Sequence, residues 1–439
     1  MIGGPVRELL TDVQYRVRGA HPLRPGMRSA LRRAERADPR ELRRMQERRL
    51  RLLVRWAAAR TPYYRRWFAD AGLDPRDVRT LDDLAALPTI GRDNVAADPT
   101  AFLAYPRRLA WPARSSGTSG TVVTVYRSPG SAVYERCALE RQWSWFGVPP
   151  RAPRVVLRGS TVAGPHGITR IRPATGELLV SSFHLTAEHL PEILAAVRAH
   201  APVAVEGWPS SLTLFATLLR DAGEPLRVRA VITSSEVIGA AAARTLEEVF
   251  GGPVVDHYGQ TERVALAGNC PCGGLHAFGD YGIVETLPVP DAPQRREIVG
   301  TPLHNWAFPL LRYRTGDEVV GEPDPAPCPC GRSFPLLGAV DGRVEDAFTA
   351  ADGRPIPLPH TLVKNLTGLR EVQVAQHAPG RFEVRVVPGH GYDREAVAAA
   401  VRATVHRVVG PGQTVEVRET ERIPRSASGK LRPAIVLGE

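Results

Sequence analysis

The chain has 439 residues, more than one hydrophobic core usually organises, so we expect two or three domains. It contains 57 lysines and arginines against 46 acidic residues, a formal net charge of +11. No apolar run approaches the roughly 18 residues that cross a bilayer, and no signal-peptide pattern is present at the start. These features exclude a membrane-spanning protein and a membrane partner, and they predict a cytoplasmic protein.

The excess positive charge lies in the first 66 residues, which hold 18 arginines and 6 acidic residues. A basic arm of this kind is one signature of nucleic-acid binding. The same arm carries apolar residues at helical spacing, among them Leu42, Leu52 and Trp56, and it has no recognised nucleic-acid-binding motif. We therefore predict that residues 1–90 are mostly helical, with a solvated arginine face and no nucleic-acid partner.

A loop of seven small or hydroxylated residues follows the helical part, and a β-branched run at 122–126 predicts a strand directly after it. Glycines let backbone N–H groups point at one anion and the hydroxyls add donors, so the loop is a candidate phosphate cradle. It lacks the lysine and the following helix of a P-loop. Alone, such a cluster is more often a surface turn. Its residues are Ser115, Ser116, Gly117, Thr118, Ser119, Gly120 and Thr121.

From Trp111 onwards, short β-branched runs alternate with helical stretches. The runs at 154–157, 203–206 and 228–233 predict strands, and those at 187–199 and 240–250 predict helices. This alternation is typical of a mainly parallel α/β sheet, whose ligands bind beyond the carboxyl ends of the strands. Polar or conformationally unusual residues follow three of those ends: Gly207-Trp208, Ser235-Glu236 and the run 257–262.

After about residue 345 the pattern changes to that of a small α+β unit. Asp352-Gly353 predicts a hairpin, 372–376, 382–387 and 414–418 predict strands, and 394–408 predicts a helix. The last segment holds Lys430, one of two lysines in a chain whose other 55 basic residues are arginine. A lysine kept against such a bias is a candidate for a role that needs a compact ammonium group. We place a large domain at 1–343 and a small one at 344–439.

Five segments, taken together and in this order, resemble motifs of the adenylate-forming enzymes, which include acyl-CoA synthetases, peptide-synthetase adenylation domains and luciferases. They are residues 115–121, 258–262, 313–317, 342–343 and 429–430. Residues 258–263, 309–317 and 330–332 are similar to the phenylacetate–CoA ligase and capsular-polysaccharide-type branch. The resemblance covers about residues 45–437. It implies an α/β fold with a large N-terminal domain and a small, mobile C-terminal lid.

The resemblance also implies which residues bind the nucleotide. The 115–121 loop would hold the β- and γ-phosphates of ATP. Asp317 would accept the ribose hydroxyls, assisted by Arg343. Glu262 would hold Mg²⁺, a hard cation that prefers oxygen ligands. The remaining nucleotide-binding residues, around the adenine, would be Ser235, Glu236, Tyr258, Gly259, Gln260 and Thr261.

The same resemblance implies two chemical steps. Lys430 would reach in from the small domain and stabilise charge on the α-phosphate while a carboxylate attacks it and pyrophosphate leaves. The small domain would then rotate about Glu345, where relatives more often have Asp or Lys, and admit a thiol. The phosphate loop lacks the lysine that many relatives carry after its last glycine, so its grip would depend more on backbone N–H groups.

Four of the five cysteines form two identical Cys-Pro-Cys-Gly tetrapeptides, at 270–273 and 328–331. Without a secretory signal, a structural Zn²⁺ site with four N or S ligands is favoured over disulfides. Five candidates compete for four positions, so Cys272 and His276 are alternatives; similar enzymes pair the first cysteine and the histidine with a later Cys-x-Cys. Doubled cysteines also argue against a catalytic thiol. The five candidates are Cys270, Cys272, His276, Cys328 and Cys330.

Taken together, these patterns predict an ATP-dependent ligase that activates a carboxylic acid and passes it to coenzyme A. The acid pocket would lie between Gly207, Trp208, His257 and the loop after Leu157, with His184 at its edge, and family analogy favours an aryl or arylacetic acid. Transfer to an amine or to an acidic carrier protein, which would suit the arginine-rich arm, is an alternative. A non-catalytic, zinc-stabilised scaffold is another, and a homodimer is an open assembly state.

Overall fold

A computed structural model of the protein provides the fold. The structure describes residues 13–16, 21–114, 123–157, 167–235, 238, 240–289, 292–321, 327–341, 348–356, 359–363, 366, 369–388, 392–421, 423–424 and 434–437. Within these ranges, no helix combines the length and the low charge that a bilayer crossing requires.

The described part of residues 1–90 is mostly helical, as the sequence predicts. Asp38 caps the longest helix by accepting a hydrogen bond from the backbone N–H of Arg40, and a proline at the first helical position fixes its start. The sequence analysis counted Leu52 with the apolar face of this helix. This is wrong, because Leu52 is 54% exposed while Leu50 and Leu53 are buried. The helices are α1 (Arg24–Ala34), α2 (Pro39–Arg60), α3 (Pro62–Asp70), α4 (Leu81–Ala86) and α5 (Arg92–Ala97), followed by 3₁₀ turns at Pro99–Phe102 and Arg107–Leu109.

A nine-stranded sheet forms the centre of the molecule, in the order β14-β10-β9-β8-β7-β6-β3-β5-β4. A separate hairpin, β1 (Trp111–Arg114) with β2 (Thr124–Arg127), precedes it. The strands of the central sheet are β3 (Arg154–Leu157), β4 (Thr169–Ile171), β5 (Leu178–Val180), β6 (Ala204–Gly207), β7 (Ala230–Ser234), β8 (Val254–Gly259), β9 (Leu266–Asn269), β10 (Leu275–Ala277) and β14 (Leu336–Leu337).

The parallel part of this sheet is confined to its middle. Strands β5, β3, β6, β7 and β8 pair in parallel, whereas β4 on one side and β9, β10 and β14 on the other pair antiparallel. The predicted mainly parallel sheet is therefore a mixed one. The helices that accompany it are α6 (Pro129–Trp145), α7 (Leu190–His200), α8 (Pro209–Asp221) and α9 (Ala240–Phe250). A 3₁₀ turn at Ser182–His184 lies between β5 and α7.

A second, antiparallel sheet follows, in the order β11-β12-β13-β15, and the sequence analysis did not anticipate it. Residues of its long strands are partly exposed on both faces, so the alternation of apolar and polar residues is weak there. Its strands are β11 (Gly282–Val289), β12 (Ala292–Pro302), β13 (Tyr313–Val320) and β15 (Ala339–Asp341).

The last ninety residues have a sheet and a hydrophobic core of their own, the latter built around Phe348, Phe382 and Val401. The predicted hairpin at Asp352-Gly353 is present, with a positive φ of 81° at Gly353. The division at residue 343 falls on residues outside the described ranges and stays a prediction. The elements are β16 (Phe348–Thr349), β17 (Pro355–Ile356), a 3₁₀ turn at Pro359–Leu362, β18 (Leu369–Ala378), β19 (Arg381–Pro388), α10 (Arg394–Val409), β20 (Thr414–Glu419) and β21 (Ala434–Val436).

Candidate active site

The carboxyl ends of the central parallel strands lie side by side. Leu157 of β3 is in register with Gly207 of β6, which is in register with Thr233 of β7, and Ser234 pairs with His257 of β8. A Cβ atom at Gly207 would lie 2.9 Å from the carbonyl oxygen of Leu157, so only glycine fits this crossing point. The three strand ends predicted to carry the site therefore do meet at one edge of the sheet.

The first pair of predicted site residues that the structure joins is Tyr258 and Asp317. The hydroxyl of Tyr258 donates to Oδ2 of Asp317 at 2.9 Å, although 59 positions separate the two residues. The side-chain amide of Gln260 donates to the same hydroxyl at 3.3 Å. Burial raises the pKa of Tyr258 well above its ordinary value, and the Asp317 carboxylate raises it further. Tyr258 therefore stays protonated and remains a donor to the carboxylate.

Asp317 lies in β13 of the second sheet, beside a tight backbone turn. Gly316 has a φ of 74°, and the backbone N–H of Asp317 donates to Oγ1 of Thr315 at 3.1 Å. The hydroxyl of Thr315 in turn donates to the carbonyl of Ile298 at 2.8 Å. This turn holds the carboxylate at the junction of the two sheets, where strand β8 ends.

Glu262 follows β8 and is 6% exposed. Its Oε1 accepts a hydrogen bond from the hydroxyl of Tyr313 at 3.2 Å and lies 3.8 Å from a guanidinium nitrogen of Arg92. Burial raises the pKa of Tyr313, and the Glu262 carboxylate adds to this, so the phenol remains a donor. The result is a buried carboxylate, oriented by a phenol and an arginine, at the same edge as Tyr258.

Two further arginines fix the backbone around Glu262. Arg127 donates to the carbonyl of Thr261 at 2.5 Å, and Arg263, which has a φ of 58°, forms an ion pair with Glu135 of α6. A positive φ is strained for an arginine, and such strain is typical of residues near functional sites. The sequence analysis missed Arg92 and Arg127 because they come from segments far from Glu262 in the chain, and it gave Arg263, inside the quoted segment 258–263, no role of its own.

The remaining predicted side chains surround the strand ends less tightly. Ser235 is exposed with a φ of 73°, and Trp208 is half-buried at the start of α8. His184 is exposed; Nδ1 contacts Oγ of Ser181 at 2.8 Å, and the ring lies edge-on to His189 at 5.8 Å. Among the described residues, the hydrogen-bond and ring partners of His184 thus include neither Trp208 nor His257.

Several predicted residues lie outside the described ranges: residues 115–121 of the phosphate loop, the segment 158–166 after Leu157, Glu236, Arg343, Glu345 and Lys430.

A partly buried carboxylate that the sequence analysis missed lies one strand position before His257. Asp256 accepts a hydrogen bond from the hydroxyl of Thr233 at 2.6 Å, on the neighbouring strand. Burial raises the pKa of Asp256 to about 6, although the Thr233 bond works in the opposite direction. Its position inside a β-strand, between apolar valines and the His257-Tyr258 motif, gave no sequence signal for an elevated pKa.

Four of the five predicted zinc ligands converge. The ligand atoms of Cys270, His276, Cys328 and Cys330 all lie within 4.8 Å of one another. The sulfurs of Cys270 and Cys328 are 3.7 Å apart. Tetrahedral Zn²⁺ with Zn–S bonds of about 2.3 Å would separate two sulfurs by about 3.8 Å. Cys272 is exposed and outside this group, so of the two alternatives left open by the sequence the geometry favours His276.

The histidine of this cluster is also oriented as a metal ligand. Nδ1 of His276 contacts the carbonyl oxygen of Phe334 at 2.8 Å, and this bond turns Nε2 toward Cys330, whose sulfur is 3.2 Å away. Burial lowers the pKa of His276, which favours the neutral imidazole that a metal requires. The donor set of three sulfurs and one nitrogen fits structural zinc.

Comparison with known proteins agrees with the predicted relationship. No protein-family model matches the chain. The chain is 25% identical over 447 aligned residues to a phenylacetate-coenzyme A ligase of Thermus thermophilus, with 91% of this chain and 97% of that protein covered. A phenylacetate-coenzyme A ligase of Pseudomonas putida is 26% identical over 328 residues, covering 70% and 71% of the two chains.

Solved structures of a 2-hydroxyisobutyryl-CoA ligase have the same fold. The structure in complex with 2-HIB-AMP and CoA, in the thioesterification state, aligns with a TM-score of 0.61 at 20% identity, over 92% of this chain and 91% of that one. The postadenylation state aligns with a TM-score of 0.58. The predicted α/β fold and the predicted resemblance to adenylate-forming enzymes of the phenylacetate–CoA ligase branch are confirmed.

Proposed function

We propose that this protein is an ATP-dependent, AMP-forming ligase that converts a carboxylic acid to an acyl-adenylate and then to a coenzyme A thioester. Its curated relatives are phenylacetate-coenzyme A ligases, matched over 91% of the chain. The observation that carries the proposal is the contact between Tyr258 and Asp317. It joins an aromatic ring and a carboxylate, the two groups that bind an adenine and a ribose, at the edge where parallel strands bind ligands.

In the first step, a carboxylate oxygen of the acid attacks the α-phosphorus of ATP, and the bond to the β-phosphate breaks to release pyrophosphate. Asp317 would hold the ribose hydroxyls and Tyr258 would pack on the adenine, with Ser235 and Glu236 lining it. Lys430 would stabilise the charge that develops on the α-phosphate. The 115–121 loop would hold the outer phosphates, and Arg343 would assist at the ribose.

Glu262 would hold the Mg²⁺ ion that accompanies ATP. Its carboxylate offers hard oxygen donors, and Tyr313 and Arg92 hold it at the strand edge. A bound Mg²⁺ would neutralise charge on the phosphates of the leaving pyrophosphate. Tyr313 and Arg92 orient the Glu262 carboxylate, because their contacts leave it little freedom to rotate.

In the second step, the thiol of coenzyme A loses its proton and attacks the acyl carbon, a C–S bond forms, and AMP leaves. The small domain at 344–439 would rotate about Glu345 between the steps, withdrawing Lys430 and opening a path for the thiol. The CoA-bound state of the solved 2-hydroxyisobutyryl-CoA ligase, which has this fold, supports this step.

The acid would bind between Gly207, Trp208 and His257, beyond the ends of β6 and β8. The half-buried indole of Trp208 supports an aromatic acid, since it offers a flat apolar surface beside the strand ends. Aryl and arylacetic acids are therefore the first substrate class to test. His184, whose contacts are with Ser181 and His189, would lie at the edge of this pocket.

Zinc would be structural in this protein. Cys270, His276, Cys328 and Cys330 would hold it with all four coordination positions filled, which leaves none for a substrate. A cytoplasmic location and a homodimer remain predictions, which cell fractionation and light scattering would test.

Pyrophosphate release tests the adenylation step. Purified protein with ATP and Mg²⁺ should release pyrophosphate with at least one acid from a panel of aryl, arylacetic, amino and fatty acids, before any thiol is added. Lys430→Ala should reduce the rate by about a hundred-fold or more, because the developing charge loses its partner. Acid-independent release, or equal rates in the wild type and the variant, would contradict the proposal.

A further inference from the structure

An arginine-rich groove lies between α1 and the turn before β3. It is an open cavity of about 850 Å³, within the range of small-molecule sites. No carboxylate lines it among the residues that the structure describes, and the one aromatic ring among those residues is the imidazole of His21. We call it the arginine groove, and its basic lining residues are His21, Arg24, Arg28, Arg32, Arg33 and Arg151.

The arginine groove is separate from the proposed active site. Arg151 lies three residues before β3 begins, whereas the active-site edge lies at the other end of β3, at Leu157. A four-residue strand spans roughly 10 Å. The groove therefore opens at the amino ends of the parallel strands, and ATP in the active site does not account for its charge.

Buried contacts hold α1 in place, so the groove is preformed. The guanidinium of Arg24, 7% exposed, donates to both carboxylate oxygens of Glu140 at 2.5 and 2.7 Å. Arg141 of α6 donates to the carbonyl of Leu31 at 2.9 Å, near the other end of α1. A ligand in such a rigid groove does not have to order the helix when it binds, which lowers the cost of binding.

Two arginines of the groove supply charge that the protein does not use internally. Arg28 and Arg32 have no ion-pair or hydrogen-bond partner among the described residues, and they stand four positions apart on one face of α1. Residues at this spacing are neighbours, with Cβ atoms about 6 Å apart. Their two guanidinium groups can each form paired hydrogen bonds to one phosphate of a chain.

From this geometry we propose that the arginine groove is a second anion site, which binds a chain of two or more linked phosphates. Such a chain carries dense negative charge that Arg28 and Arg32 can bind together, and Arg33 and Arg151 extend the groove beyond them. Five of the described lining residues are arginines, whose guanidinium groups match phosphate oxygens, so we take the phosphates and not a nucleoside as the recognised part.

Calorimetric titration with inorganic tripolyphosphate, in buffer of low ionic strength without Mg²⁺, tests the proposal. The double variant Arg28→Glu/Arg32→Glu should bind tripolyphosphate about a hundred-fold more weakly than the wild type at the groove. The matched control is Arg44→Glu/Arg48→Glu, which reverses two exposed arginines at the same spacing on α2. All three proteins keep the same active site, so their difference isolates the groove. Pyrophosphate release should be unchanged in both variants.

Three results would overturn the proposal: equal binding by wild type and the groove variant, equal losses in both variants, or tighter binding of a poly-glutamate peptide than of tripolyphosphate. The last would identify an acidic protein as the occupant. A parallel titration with guanosine triphosphate distinguishes the sources of the phosphate chain. Tighter binding of guanosine triphosphate than of tripolyphosphate would show that the nucleoside is recognised and would also overturn the proposal, whereas equal or weaker binding supports recognition of the phosphate chain alone.

Discussion

At the residue scale, the candidate site depends on phenols that stay protonated and donate hydrogen bonds to carboxylates. Burial raises the pKa of Tyr258 and of Tyr313, and each hydroxyl donates to an acid, Asp317 or Glu262. These hydrogen bonds orient both carboxylates, and the guanidinium of Arg92, 3.8 Å from Glu262, helps to orient the second one. This leaves Asp317 able to accept from a ribose and Glu262 able to bind a metal ion.

Asp317→Asn tests the ribose role. The amide keeps the shape of the side chain but replaces one acceptor oxygen with a donor, so it can accept only one ribose hydroxyl. We expect KM for ATP to rise about 10–100-fold, since hydrogen bonds to a charged group are lost. The measurement is the ATP dependence of pyrophosphate release. Asp82→Asn, at a site whose side chain is 85% exposed, is the control and should leave KM unchanged; a similar KM in all three proteins would refute the role.

Asp256 should make stability depend on pH. Its pKa, about 6 in the folded protein, is above the ordinary value of 3.8 for an aspartate, so the folded state binds the proton more tightly than the unfolded one. The stabilisation is fully present below about pH 4 and is lost as the pH rises through 6. Relative to Asp256→Asn, the wild type should therefore lose about 1–3 kcal/mol of unfolding free energy between pH 4 and 7.

Urea unfolding at several pH values measures this difference. Asp221→Asn removes an exposed carboxylate instead and is the matched control, for which the difference from wild type should not vary in this way. A wild type that gains stability relative to Asp256→Asn as the pH rises would show that the carboxylate is ionised and stabilised in the folded protein.

At the scale of elements, the cysteine cluster joins the β9–β10 hairpin to the segment 328–333. The same segment also forms hydrogen bonds to the turn between α1 and α2. The backbone N–H of Ser333 donates to the carbonyl of Glu35 at 3.0 Å, and its hydroxyl donates to the carbonyl of Ala37. The side chain of Glu35 accepts from the indole of Trp145 at 2.8 Å. A zinc ion here would therefore connect the central sheet to the arginine-rich arm.

Replacing single cysteines distinguishes this site from surface thiols. Cys328→Ser should lose about one equivalent of zinc and lower Tm by about 5–10 °C, because metal binding contributes directly to folding. Cys272→Ser, from the same tetrapeptide pattern but outside the cluster, should retain zinc and Tm. Elemental analysis and a thermal melt measure both. Zinc loss in Cys272→Ser with retention in Cys328→Ser would reverse the ligand assignment.

Helix α6 carries a buried charge network in addition to its buried apolar side chains. Glu140 is 2% exposed and pairs with Arg24 and with Arg136, which also reaches Glu177; Arg154 of β3 pairs with Glu177 as well. Burial alone would favour a neutral Glu140, yet Arg136 and Arg24 hold its pKa below the usual value. The network fastens α1 and β3 to the same helix.

Glu140→Gln tests the cost of breaking this network. Two buried guanidinium groups would lose their shared carboxylate, so we expect a loss of about 3–5 kcal/mol of unfolding free energy. Glu47→Gln is the matched control, since Glu47 is also four residues after an arginine, Arg43, whose side chain is 49% exposed. That change should cost at most about 1 kcal/mol. Equal losses in denaturant unfolding would mean that Glu140 contributes no more than a surface pair.

At the scale of the whole molecule, the sequence predicts local elements well. The strand at 154–157 and the helix at 240–250 have the predicted bounds, and the helix α10 differs by one residue. The three strand ends and the zinc candidates also come together as expected. These features depend on short-range signals: β-branched runs, turn residues and paired cysteines.

What the sequence did not reveal are contacts between distant segments. Arg92 reaches Glu262 across 170 positions, and Arg24 reaches Glu140 across 116. In α6, buried polar residues conceal the periodicity that an apolar face would show. The raised pKa of Asp256 follows from its burial in the folded sheet, which no local pattern encodes. Tertiary structure decides each of these cases.

Mass spectrometry of the reaction products tests the central claim most directly. The protein is incubated with ATP, Mg²⁺, coenzyme A and an acid that supports pyrophosphate release, and the acyl-adenylate and acyl-CoA are followed over time. We predict an acyl-adenylate without coenzyme A, its conversion to an equimolar acyl-CoA and AMP when coenzyme A is added, and neither product with Lys430→Ala. An acyl-adenylate that persists in the presence of coenzyme A, and is consumed only by an amine or a carrier protein, would contradict the proposed thioester formation.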